Sequence, residues 1–260
     1  MNNPSSGNPS ARADIAFAAA AAMVLAAYNN LVAAQPWHRR WYPAVNACAA
    51  AAALAAAAAS GLTATDLGLH PDQLRPGLRL GSAAATPVVT AFALAALTPA
   101  ARPLLNDQRV ASLTNRQLAY QVLLRIPVGT VAWEEIAFRG VLQAALRRVL
   151  AEPAATVVAS ATFGLWHIRP TAEALAANRL ARTRGARIAA VTAVAAGTAA
   201  AGALLSVLRE RSGSLAAPVL LHLAANCTAP LASALANRSR TPPGPGRNAG
   251  RTRARSRAGG

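Results

Sequence analysis

Seven apolar runs separated by polar connections constrain the fold of this chain more than any other feature. Their predicted limits are 15–34, 43–61, 82–100, 118–147, 154–168, 188–208 and 214–235. A helix that crosses a bilayer needs about 20 apolar residues, and arginine, proline and glycine mark the connections. Hydrophobic residues make up 54% of the chain and charged residues only 13%. The sequence therefore predicts an all-α, polytopic membrane helical bundle of about seven transmembrane helices.

The fifth run is shorter than the others and ends at the sequence His167-Ile168-Arg169-Pro170. Proline lacks a backbone N–H and restricts the residue before it, so we expect the helix to stop there.

Arginine supplies all of the positive charge, because the chain has 26 Lys+Arg residues, every one of them arginine, and a formal net charge of +17. No nucleic-acid partner is expected, since no basic face interleaved with aromatic residues accompanies them. Alternate connections hold 7 and 17 arginines, the second set being 36–42, 101–117, 169–187 and the carboxy-terminal tail. The positive-inside rule places that set in the cytoplasm. We therefore expect a multi-pass protein of the plasma (cytoplasmic) membrane that contacts anionic lipids.

Glu134 and Glu135 are the two acidic residues, of nine in the chain, that lie inside an apolar run. Ionisable groups at membrane depth are costly, which makes them functional candidates. Glu135 and Arg139 are four residues apart on one helix face, so an ion pair can neutralise both. Glu134 points to a different face, and it is the better candidate for a general base or a metal-bound carboxylate.

His167 and His222 are the histidines that lie in apolar runs. Phe163 precedes His167 by one helical turn, and Asn226 follows His222 by one turn. An amide in that position can donate to a developing oxyanion. Counted from their helix ends, Glu134, His167, His222 and Asn226 reach a similar depth and open towards the cytoplasmic side. Each residue alone has an ordinary structural explanation, but the set on three spans favours a reaction centre.

The motifs E-E-x-x-x-R, F-x-x-x-H and H-x-x-x-N resemble those of the CPBP family, the intramembrane CAAX proteases and bacteriocin-processing proteins. The resemblance covers roughly residues 117–230, and the stretches Asp66–Leu69 and Gly77–Gly81 resemble the segment upstream of that core. It implies that Glu134 and His167 activate the attacking water and that His222 and Asn226 complete the centre. Glu135 and Arg139 would support them.

The resemblance also implies the activity and the organisation of the chain. An intramembrane endopeptidase would hydrolyse a peptide bond in a membrane-associated or lipidated protein or peptide. The catalytic core would be 117–235, preceded by amino-terminal transmembrane helices over 15–116. Residues 1–14 and the arginine-rich tail 236–260 are expected to be disordered.

Two mechanisms are compatible with these residues. Glu134, His167 and His222 are a plausible three-ligand zinc set with an open position for water. A metal-free, glutamate-activated mechanism is equally open, because no H-E-x-x-H helix makes the metal obligatory.

Two other classes of protein could retain the same polar cluster. One is a non-catalytic immunity or scaffold protein that uses the cluster for helix assembly. The other is a proton-coupled transporter, which the lack of an evident inverted repeat disfavours.

Overall fold

The computed structural model describes residues 9–238, which form helices and connecting segments. The first helix begins at Pro9 and the last ends at Arg238, so both extend into the segments predicted as disordered tails. The remainder of those two predicted tails lies outside the described residues.

Twelve α-helices follow one another over residues 9–238. They are α1 (Pro9–Ala27), α2 (Pro36–Arg40), α3 (Tyr42–Ala59), α4 (Ala64–Leu67), α5 (Leu74–Leu97), α6 (Gln108–Ala111), α7 (Asn115–Tyr120), α8 (Gln143–Arg147), α9 (Glu152–Trp166), α10 (Ile168–Ala177), α11 (Arg184–Ser212) and α12 (Ala216–Arg238). A π-helical turn, Tyr28–Val32, continues α1. Two π-helical stretches, Gln121–Ala132 and Glu135–Leu142, join α7 to α8 in one continuous segment, named here the 115–147 helix.

Among residues 9–238, five helical stretches are long and apolar enough to cross a membrane: Pro9–Val32, Tyr42–Ala59, Ala64–Leu97, Arg184–Ser212 and Ala216–Arg238. The protein is therefore an integral membrane protein. The other two predicted spans correspond to the 115–147 helix and to α9. Because α9 has 15 residues, it is only about 22 Å long, less than the hydrocarbon core of about 30 Å. The total of about seven spans stays a prediction.

The fifth predicted helix ends close to its expected limit, but Pro170 is not what stops it, because the chain continues as a helix beyond this proline. The α9 helix ends at Trp166, His167 forms the junction, and α10 starts at Ile168. Pro170 thus falls in the first turn of α10, where a backbone N–H has no partner within the helix and its loss is tolerated.

The 115–147 helix lies at the centre of the bundle. It packs against α3 and α12, while α5 packs along α12 and α9 along α11. Its buried residues include Leu142 and two aromatic residues, Trp133 and Phe138, which lie in the same apolar core. Trp133 contacts Trp166 of α9, and Phe138 contacts both Phe163 and Trp166. The part of this helix that carries Glu134, Glu135 and Arg139 is therefore buried among packed helices.

Gly164 allows α9 to approach α11 closely. A Cβ atom there would lie 2.6 Å from the backbone oxygen of Ala195, whereas one at Gly197 would meet nothing within 4 Å. We expect Gly164→Ala to lower the free energy of unfolding by about 1–3 kcal/mol through overpacking. Gly197→Ala should be neutral or stabilising by up to about 1 kcal/mol, because alanine favours the helix. Thermal unfolding of the two variants in detergent tests this difference, and equal stabilities would contradict the packing.

Candidate active site

A fully buried ion pair joins Glu135 and Arg139 on the 115–147 helix. Arg139 donates from a terminal guanidinium nitrogen to Glu135 Oε1 at 3.1 Å, and the side chains are 2% and 0% exposed. The guanidinium also lies 4.1 Å from the centre of the Phe163 ring and donates to the Gly202 carbonyl at 3.4 Å. The pairing expected from the four-residue spacing is confirmed, and Arg139 links the helix to α9 and α11.

His222 of α12 lies between the two glutamates. Its Nδ1 is 2.7 Å from Glu135 Oε1, and its Nε2 is 3.9 Å from Glu134 Oε2. A carboxylate only accepts hydrogen bonds, so Nδ1 carries a proton and donates it to Glu135. The distance to Glu134 exceeds that of a hydrogen bond. Glu135 thus orients the imidazole, whose second nitrogen faces Glu134.

Glu134 is held by one oxygen only. The indole Nε1–H of Trp166 donates to Glu134 Oε1 at 3.2 Å. The other oxygen, Oε2, is buried and has no hydrogen-bond partner within residues 9–238. Buried polar oxygens are normally satisfied, and an exception often marks a catalytic role. The spacing of the motifs does not predict this contact; the position of Trp166 immediately before His167 is the one signal for it in the sequence.

His167 occupies the junction between α9 and α10. Its Nδ1 lies 2.8 Å from the carbonyl oxygen of Phe163, one turn earlier. A carbonyl only accepts, so Nδ1 is the protonated nitrogen, and in the neutral ring Nε2 keeps a lone pair. The Phe163 ring packs edge-on at 4.5 Å between centroids and restricts the imidazole.

Asn226 is bonded within its own helix, α12. Its amide donates to the carbonyl oxygen of His222 in its own helix at 3.2 Å. This bond uses one amide N–H and leaves the second N–H and the carbonyl oxygen for other partners.

Glu134, Trp166 and His167 line a cavity of about 740 Å³ between the helices. Its other walls include Arg39, Arg109 and Arg169. These arginines come from the three connections that the charge pattern assigns to one side of the membrane. The structure thus places Glu134 and His167 in one cavity, which lies at the arginine-rich end of the bundle.

Residues 116–228 match the family model described as "Type II CAAX prenyl endopeptidase Rce1-like". This match supports the resemblance of these residues to the CPBP/CAAX protease family. This match spans all six residues of the predicted site: Glu134, Glu135, Arg139, His167, His222 and Asn226. No curated protein and no solved structure matches the chain. The matched segment thus contains the central helix and the helices that supply the two histidines.

The predicted zinc ligands, Glu134, His167 and His222, come from the 115–147 helix, the junction after α9, and α12. Within the described part of the chain, no group of three or more His, Cys, Asp and Glu side chains is arranged to hold a metal ion. His222 Nε2 and Glu134 Oε2 lie 3.9 Å apart, and Nδ1 of each histidine faces a protein acceptor, which leaves Nε2 as the nitrogen that could bind a metal. Zinc dependence stays a prediction.

A buried polar network behind Trp166 was not foreseen. His38 is 0% exposed and bonds to Asn46 Oδ1 at 2.9 Å, and Tyr28 donates to the same amide oxygen at 2.8 Å. The Tyr28 ring stacks on Trp166 at 5.7 Å. Burial, with a smaller contribution from Arg125, lowers the pKa of His38 despite the Asn46 hydrogen bond, so the ring is neutral at pH 7.

Proposed function

We propose that this protein is an intramembrane endopeptidase that hydrolyses a peptide bond near the carboxy terminus of a membrane-associated protein. A prenylated Cys-a-a-X terminus is the substrate class that the family description indicates. The observation that carries the proposal is the buried glutamate at the cavity wall, with one oxygen held by Trp166 and the other available.

Glu134 acts as the general base in this proposal. Trp166 fixes Oε1, so Oε2 is the oxygen that removes a proton from water. The water oxygen then attacks the carbonyl carbon, the carbon–nitrogen bond breaks, and the proton passes to the leaving amine nitrogen. General-base catalysis of this kind contributes about 10²- to 10⁴-fold.

His167 orients the same water molecule. Because its Nδ1–H is bound to the Phe163 carbonyl, the neutral ring offers Nε2 as an acceptor. His167 and Glu134 line one cavity, so both can accept from a water that binds there.

His222 supplies the hydrogen-bond donor that stabilises the oxyanion. When it is protonated, its Nε2–H lies next to Glu134, and the Glu135 carboxylate at Nδ1 stabilises the positive charge. An Nε2–H group oriented in this way donates a hydrogen bond to the oxyanion of the tetrahedral intermediate. Arg139 keeps Glu135 ionised, and Asn226 adds a second donor through its remaining N–H.

The location follows from the charge pattern and the cavity together. We propose that the protein lies in the plasma (cytoplasmic) membrane with the cavity on the cytoplasmic side. Arg39, Arg109 and Arg169 at the cavity belong to connections that the positive-inside rule assigns to the cytoplasm.

A cleavage assay in liposomes tests the proposal. The purified protein is given a prenylated Cys-a-a-X peptide, and mass spectrometry detects the released carboxy-terminal fragment. We expect parent protein to cleave it and His167→Ala to lower kcat/KM by about 10²- to 10⁴-fold. The free energy of unfolding should fall by less than about 1.5 kcal/mol, the value of one aromatic contact.

Two results would contradict the proposed function. One is a parent protein that leaves both prenylated and unprenylated peptides intact. The other is a correctly folded His167→Ala variant that retains the activity of the parent. Either would favour a membrane protein that keeps the polar cluster for helix assembly.

A further inference from the structure

One arginine in the cavity, Arg125, has no acidic partner among residues 9–238. The others are engaged: Arg39 and Arg169 share Glu173 at 3.0 and 3.1 Å, and Arg109 binds Asp107 at 2.7 Å. Arg125 instead donates to the neutral side chain of Gln121 at 3.2 Å. Its charge is therefore available to an anion that enters the cavity.

The arginine is held in position by an aromatic ring. Its guanidinium carbon lies 4.2 Å from the centre of the Tyr42 ring, and the Tyr42 hydroxyl bonds to Thr130 Oγ1 at 3.1 Å. Tyr42 and Thr130 line the same cavity as Arg125 and Glu134. A guanidinium restrained in this way loses less conformational entropy when it binds a carboxylate.

The spacing from Arg125 to Glu134 matches the length of a short leaving peptide. Nine residues of helix separate them, at most about 13 Å. Three extended residues beyond a scissile bond span about 10 Å.

We propose that Arg125 binds the free α-carboxylate of the substrate and so restricts cleavage to bonds close to a carboxy terminus. This inference rests on the proposed function, because it concerns the substrate of the same cavity. Arginine is suited to the role, since its planar fork can donate two parallel hydrogen bonds to a carboxylate.

The test compares two prenylated peptides that differ only at the terminus, one with a free carboxylate and one with a carboxamide. Both are presented in phosphatidylcholine liposomes, whose headgroups carry no net charge. We expect parent protein to cleave the carboxylate peptide with a kcat/KM about 10- to 100-fold higher. Arg125→Gln should lower cleavage of the carboxylate peptide to the level of the amide and leave the amide peptide unaffected.

Two further variants test the role of the charge and serve as a control. Arg125→Lys keeps the charge and should retain part of the preference. Arg109→Gln removes a cavity arginine that already has an acidic partner, so the ratio between the two peptides should stay at the parent value.

Three outcomes separate this inference from the proposed function. If parent protein cleaves both peptides equally well, the carboxylate site is wrong while the protease assignment stands. If Arg125→Gln slows both peptides by the same factor, Arg125 acts on something other than the terminus and the inference is again overturned. If parent protein cleaves neither peptide, the proposed function itself fails.

Discussion

We expect Glu134→Gln to lower kcat/KM for a prenylated Cys-a-a-X peptide by at least about 10²-fold, and by up to about 10⁴-fold. The amide keeps the size of the side chain and can still accept from Trp166, but it cannot remove a proton from water. Folding should therefore be preserved while the chemistry is lost. The measurement is the rate of peptide cleavage in liposomes, with thermal unfolding of the same preparation.

The matched control is Glu152→Gln, which neutralises an exposed glutamate paired with Arg147 at 3.0 Å. Such surface pairs contribute about 0–1 kcal/mol, and this one lies away from the cavity. Its activity should equal that of the parent. A Glu134→Gln variant as active as the control would exclude Glu134 as the base.

We expect Arg139→Met to destabilise the protein by about 3–5 kcal/mol, because it leaves the buried Glu135 carboxylate without its cation. Neutralising both partners, in the double variant Glu135→Gln with Arg139→Met, should recover most of that loss. The midpoint of thermal unfolding in detergent measures both effects.

Arg147→Met provides the comparison for this pair, because it removes the same type of residue from an exposed ion pair. It should change stability by less than about 1 kcal/mol. If Arg139→Met were no more destabilising than Arg147→Met, the buried pair would not be essential to the packing of the 115–147 helix.

The apolar runs and the residue spacing within them predicted the features of this structure that depend on residues close in sequence. Apolar runs marked the long helices, because the cost of burying polar groups in lipid is high and the runs are continuous. The Glu135–Arg139 pair followed from a four-residue interval on one helix, and the structure contains it.

Contacts between distant segments could not be predicted in the same way. His38 lies in a short connection with no apolar pattern, yet Tyr28 and Asn46 from neighbouring helices enclose it. Trp166 approaches Glu134 across 32 residues of chain. Such contacts depend on how helices are placed against each other, which sequence spacing does not determine.

The roles of the two adjacent glutamates depended on helix rotation. An ideal α-helix separates neighbouring side chains by about 100°. On this geometry only Glu135 shares a face with Arg139, so only Glu135 was expected to have a partner on its own helix. In the structure π-helical turns flank this position, and His222 lies near both carboxylates. Such π-helical turns occur frequently at functional sites, but no residue pattern in the sequence predicts them here.

The origin of the oxygen atom in the product tests the central claim most directly. Parent protein is reacted for a single turnover with a prenylated Cys-a-a-X peptide in water enriched in oxygen-18, and the products are weighed by mass spectrometry. Direct attack by water activated at Glu134 predicts one oxygen-18 atom in every newly formed carboxylate. Product that carries an unlabelled oxygen from the enzyme, or a peptide that stays intact, would contradict the account.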